Sequence, residues 1–189
     1  PLLFVYAIIT AVIAIYIEMH FNSLKFIVYG LSIIILFLSS TCCHAIRSSK
    51  RKHYFRVADH ISIYLLIAGT YTPVLLIAIP NGLGWILFWV VWGISAFGMI
   101  LKLFFTGRFE GFSTFLYLAM GWLAIVPYAE LTMALDTKGL ALLIGGGVAY
   151  TVGVLFYVIE KIPYNHFIWH LFVLGGASCH FFMVYLYVI

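Results

Sequence analysis

The segment Asn165-His166-Phe167-Ile168-Trp169-His170-Leu171 places two imidazoles four residues apart inside an apolar run. On a helix this spacing stacks them on one face, one turn apart, so that both can reach a single metal ion. The same spacing also suits two histidines that hydrogen-bond to neighbouring membrane helices. Further ligands converging on the pair would decide between these readings, so the polar residues of the other apolar stretches carry the argument. One stretch ends in Ser39-Ser40-Thr41-Cys42-Cys43-His44, and the next opens with Asp59.

The elements that must position these residues are membrane helices. Of the 189 residues 65% are apolar and only 8% charged, whereas a soluble domain has about 45–50% and 25%. About 20 mainly apolar residues span a bilayer. Seven stretches qualify, at about residues 1 to 17, 25 to 46, 58 to 79, 84 to 104, 112 to 131, 139 to 159 and 165 to 189. Short polar separators make consecutive helices antiparallel neighbours, and no segment is long enough for a separate soluble domain. The expected architecture is therefore an all-α integral membrane protein, one seven-transmembrane-helix bundle over residues 1–189. The chain opens on Pro1 inside an apolar run, so the numbering is expected to start partway through a longer protein.

Orientation follows from the basic residues. Arg47, Lys50, Arg51, Lys52, Arg56, Lys102, Arg108 and Lys161 fall in or beside the second, fourth and sixth connections, against only Lys25 and Lys138 on the opposite face. By the positive-inside rule the amino end is cytoplasmic and the carboxyl end outside. The formal net charge of +4 thus points to lipid headgroups rather than nucleic acid. Cys42, Cys43 and Cys179 all lie in apolar segments and two are adjacent, so they read as thiols rather than a disulfide framework. Gly69, Pro73, Pro127, Gly145-Gly146-Gly147 and Gly175-Gly176 read as sites of close helix packing and proline kinks.

This topology puts His44, Asp59, His166 and His170 at one membrane level, each near the cytoplasmic basic loops. Singly, each has a plain structural role: His44 as a helix-end cap, Asp59 as a residue favoured by the helix dipole and Arg56, the histidines as interhelical hydrogen-bonding groups. Together, three imidazoles and a carboxylate match the three-ligand, open-position pattern of catalytic zinc. Nitrogen-rich ligation favours Zn²⁺ over Mg²⁺ or Ca²⁺ and leaves Fe, Ni and Cu open. Ser40, one turn before His44 on the same face, either bonds back to its own helix or donates to a substrate carbonyl or a water. His180 lies about 15 Å beyond His170 along the helix and reads as a structural hydrogen-bonding group. His60 projects about 100° from Asp59, as a neighbour of the site at most. His53 sits in the basic loop, His20 is near the opposite surface, and Cys43 projects off the face of His44.

The stretches Ser40-Thr41-Cys42-Cys43-His44, Asp59-His60-Ile61-Ser62-Ile63-Tyr64 on to Thr72-Pro73, and Pro163-Tyr164-Asn165-His166 on to Gly175-Gly176 and Cys179-His180-Phe181 resemble the bacterial hemolysin III family, within the progestin and adipoQ receptor superfamily. The resemblance spans the chain. It implies a seven-helix bundle in the bacterial cell membrane with zinc near the cytoplasmic side, metal ligands at His44, His166 and His170, an aspartate acting on water at Asp59, and the family serine at Ser40. One departure is Cys42-Cys43, where bacterial relatives usually carry a bulky apolar residue and Tyr.

Three functions follow as expectations. The resemblance implies a ceramidase-like, zinc-dependent hydrolase: Asp59 activates water, Ser40 helps stabilise the oxyanion, and a lipid amide or ester enters from the bilayer. The family name implies a pore-forming cytolysin, although charged residues at segment ends speak against a monomeric pore. A receptor or regulator of membrane lipid homeostasis with a structural zinc is the third.

Overall fold

A computed structural model describes residues 24–46, 48–159 and 161–188, together with Ile9, Val12 and Tyr16. The first expected helix, about residues 1 to 17, lies outside the described residues apart from those three. All elements among the described residues are helical. They are α1 (Leu24–Ala45), α2 (Ser49–Pro73, continuing as a π-helical turn Val74–Ala78), α3 (Gly82–Phe105), α4 (Glu110–Gly121, followed by a 3₁₀ turn Trp122–Ile125), α5 (Tyr128–Ala134), α6 (Thr137–Val158) and α7 (Asn165–Tyr187). Five are long and apolar enough to cross a membrane, and α4 with α5 makes a sixth span if that bent pair is counted as one.

Two elements differ from expectation, each for a local reason. α2 begins at Ser49, not near residue 58, because the supposed loop is rich in Lys and Arg. These are good helix formers whose long side chains carry their charges into water while the backbone stays helical. Asp59 therefore lies ten residues inside α2, about 15 Å from its start, and the helix-dipole role considered for it does not apply. The helix expected at about 112 to 131 carries the proline kink expected at Pro127, but as a full break with a bend of 60°. Pro127 sits at the break: it has no N–H to donate, and its ring would collide with the carbonyl four residues back.

The chain forms two compact units, Pro1–Leu76 with Pro80–Met120, and Ile77–Ile79 with Gly121–Ile189. In the first unit α1 packs on α2 and α2 on α3. The hydroxyls of Ser39 and Ser62 meet at 3.0 Å between α1 and α2. Ser95 of α3 donates to the carbonyl of Tyr64 at 3.1 Å. Tyr64 is fully buried, and its ring occupies the space that a Cβ on Gly98 would need. Trp92 of α3 donates to the Thr72 hydroxyl at 3.2 Å. Near the π-helical turn, Lys25 donates to the carbonyl of Leu76 at 3.1 Å. Pro73 explains that turn, since its missing N–H interrupts the α-helical ladder and a π-bulge absorbs the break.

In the second unit α6 packs along α7. Asp136 caps α6, accepting from Gly139 N–H at 2.8 Å, as short polar side chains do at helix starts. The two helices close on each other where Gly146 faces His180 and Gly176 faces Tyr150, with no room for a Cβ. Gly145 and Gly175 look onto open space, so within each run one glycine sets the approach. His180 contacts the carbonyl of Leu143 at 3.1 Å across this interface, which is the structural role expected for it. All three cysteines are free thiols.

Candidate metal and catalytic site

Among the described residues the expected metal ligands are exposed or half-buried at helix ends, His44 in the first unit and His166 and His170 in the second. In the second unit His166 and His170 lie in the first two turns of α7. Their Nε2 atoms are 3.1 Å apart and their rings perpendicular. Two imidazole nitrogens sharing a tetrahedral Zn²⁺ at about 2.05 Å would be separated by about 3.3 Å. The pair therefore fits one metal ion with almost no rearrangement. The chain enters α7 through Tyr164, which adopts a left-handed backbone (φ +58°). A non-glycine residue there costs roughly 1–2 kcal/mol. The turn that precedes His166 is held at that cost, with Asn165 N–H donating to Ile162 C=O at 3.1 Å.

In the first unit His44 occupies the last turn of α1 and is exposed, at the end of the face that also carries Ser40. The Ser40 side chain is 4% exposed and lies beside the Asp59 carboxyl of α2 without reaching full hydrogen-bond geometry. The Asp59 backbone carbonyl accepts from Ser62 at 2.6 Å, and Ser62 in turn meets Ser39. The Ser39–Ser62 contact thus ties α1 to α2 one turn from Asp59. Cys43, the residue before His44, is buried.

His60 belongs to a separate polar cluster. Its Nδ1 lies 3.9 Å from Glu110 Oε1, and its backbone carbonyl accepts from the Tyr117 hydroxyl at 3.1 Å. Glu110 Oε2 accepts from Lys102 Nζ at 2.7 Å, and Oε1 accepts from Gly107 N–H at 3.0 Å. Lys102, placed by its sequence among the basic residues at the helix ends, is in fact fully buried. Nothing in the sequence marked it, because its counter-ion lies beyond a turn whose geometry depends on positive φ at Gly107 and Phe109. A buried charge needs such a partner, and Glu110 also closes the α3–α4 turn through Gly107.

Residues 1–181 match the Haemolysin-III related family, and the chain belongs to it. It is accordingly a multi-pass integral membrane protein of the bacterial cell membrane. It is 49% identical over 164 residues to Hemolysin-3 of Bacillus cereus, covering 87% of this chain and 75% of that protein. A Hemolysin-3 homolog of Bacillus subtilis is 46% identical over 163 residues, covering 86% and 76%. The human monocyte to macrophage differentiation factor is 32% identical over 166 residues, covering 85% of this chain and 68% of its own length.

Proposed function

We propose that this protein is a zinc-dependent hydrolase of a lipid amide or ester, ceramidase-like, working near the cytoplasmic leaflet as a seven-helix bundle with its amino end in the cytoplasm. The observation that carries the reading is the 3.1 Å separation of the His166 and His170 Nε2 atoms, a metal-ready pair on a helix of a membrane protein. His44, His166 and His170 would hold zinc, which when bound supplies Lewis acidity and lowers the pKa of a coordinated water towards about 7. Asp59 takes the proton of the attacking water and returns it to the leaving group. Ser40, held beside Asp59, keeps that carboxyl oriented and can donate to the developing oxyanion. The substrate, a lipid, would enter sideways from the bilayer.

The test combines metal and turnover. Purified protein is expected to carry about one zinc per chain, lost when His44, His166 and His170 are all changed to Ala. Asp59→Asn is expected to keep zinc and lose hydrolysis of ceramide-type amides. Zinc-free wild-type protein, or zinc retained by the triple variant, would remove the site; zinc with no turnover over a broad lipid panel would leave a structural metal in a receptor or regulator.

A second reading, a pore-forming cytolysin, is favoured only by the names of the Bacillus relatives. A pore needs polar groups lining several spans, and the buried Lys102 is consumed by its ion pair with Glu110. Dye release from liposomes by the wild-type protein, abolished by disrupting oligomers, would establish it.

A further inference from the structure

The start of α2 is longer than membrane crossing requires. Ser49–Ala78 runs roughly 45 Å at helical rise, against a hydrocarbon thickness of about 30 Å. The surplus of about 15 Å, on the order of ten residues, is the cationic stretch that the sequence alone reads as a loop. Arg51, Lys52, His53, Tyr54 and Arg56 are all exposed there.

Their arrangement on the helix is specific. Lys52, Arg56 and Asp59 follow at i, i+4 and i+7, so the two cations form a stripe on the face of Asp59, one and two turns further out. In the antiparallel pair of α1 and α2, Ser39 meets Ser62 at 3.0 Å and Gly69 closes on Ser32, a register that sets the start of α2 beside the end of α1. Within the first unit, then, the stripe borders the ends of α1 and α2 that carry His44, Ser40 and Asp59. Neither cation forms an ion pair with a described carboxylate, and the exposed Tyr54 beside them is a residue type that settles at headgroup depth.

We infer that Lys52 and Arg56 form a seat for the phosphate of an anionic phospholipid headgroup, at the outer end of the face that leads to Asp59. An anionic phosphate matches two cations one helical turn apart. The headgroup layer is where a helix of this length must place them, and a lipid held there has its acyl chains running along α1 and α2. That the seated lipid is delivered to a reacting centre rests on the proposed hydrolase; the seat itself rests on the geometry of the first unit alone.

The experiment measures the relative affinity of reconstituted full-length protein for spin-labelled phosphatidylglycerol over phosphatidylcholine, with zinc content determined on the same samples. Surface cations contribute about fivefold each, so Lys52→Gln with Arg56→Gln is expected to lower the preference about 25-fold. The pair Lys52→Arg with Arg56→Lys is expected to keep it, and so is Arg108→Gln, which removes an exposed cation elsewhere in the unit. Excess inorganic phosphate is expected to leave the preference in place. An equal loss in Arg108→Gln, an unchanged preference in the double Gln variant, or displacement by free phosphate would each overturn the seat. Wild-type protein that selects phosphatidylglycerol yet holds no zinc would end the hydrolase reading and keep the seat; zinc-loaded protein without selectivity would do the reverse.

Discussion

Removing the metal should leave a measurable scar at α7. With zinc withdrawn by a chelator, His166 and His170 still sit with their Nε2 atoms 3.1 Å apart, and one can donate to the other. That neutral hydrogen bond contributes only about 1 kcal/mol. A ligand held at about a thousand times its dissociation constant adds about 4 kcal/mol to the folded state. For a chain of this length about 1 kcal/mol moves the melting temperature by about 2–4 °C. Chelation is therefore expected to lower the melting temperature of detergent-solubilised protein by about 8–16 °C, and zinc to restore it. His170→Ala leaves one imidazole of the pair, and its melting temperature is expected to be low already and insensitive to chelator or zinc. The assay is intrinsic tryptophan fluorescence on heating, because Trp169 lies between the two histidines and packs on Tyr157 of α6 at 5.4 Å. A wild-type melting temperature unmoved by chelation, in protein shown to have contained zinc, would refute the argument.

The buried Lys102–Glu110 pair gives a second prediction. Glu110→Gln strands a fully buried ammonium, at a cost of about 3 kcal/mol, the low end for a buried pair because Glu110 is itself partly solvated; adding Lys102→Met is expected to recover most of it, as a double-mutant cycle in thermal unfolding would show. Gly98→Ala drives a Cβ into the buried Tyr64 ring and is expected to destabilise by about 1–3 kcal/mol. Gly93→Ala, on the same helix with open space around it, is expected to be neutral or to stabilise by up to about 1 kcal/mol. Ser40→Ala is expected to keep zinc and lower kcat with little change in KM, if that hydroxyl acts on Asp59 or the oxyanion; a variant with wild-type turnover would reduce Ser40 to packing.

What the sequence made legible follows the range of the interactions concerned. Helix existence rests on runs of apolar residues, and the described spans fall within a few residues of expectation wherever a short polar side chain caps the helix, as Asn81 and Asp136 cap α3 and α6. Residues 49–57 are helical where their charge suggests a loop, because Lys and Arg end a membrane segment without ending a helix. The bend before α5 falls at Pro127, where a proline kink is expected, although hydropathy runs unbroken across it and the size of the bend is set by the backbone alone. The histidine pair was legible because its geometry is internal to one helix: a spacing of four fixes the two rings relative to each other wherever the helix sits. Asp59 and Ser40 lie on different helices, and their contact needed the antiparallel register of α1 and α2, set by Ser39 against Ser62 and the closeness of Gly69 to Ser32. Lys102 was the least legible of all. A lysine near a helix end is normally read as facing water, and only the turn at Gly107 and Phe109 brings Glu110 back to neutralise it. Its burial carries a functional consequence: one of the basic residues counted towards the cytoplasmic excess is bound up inside the protein, so the charge presented to lipid on that side is concentrated at the start of α2, on the face that descends to Asp59.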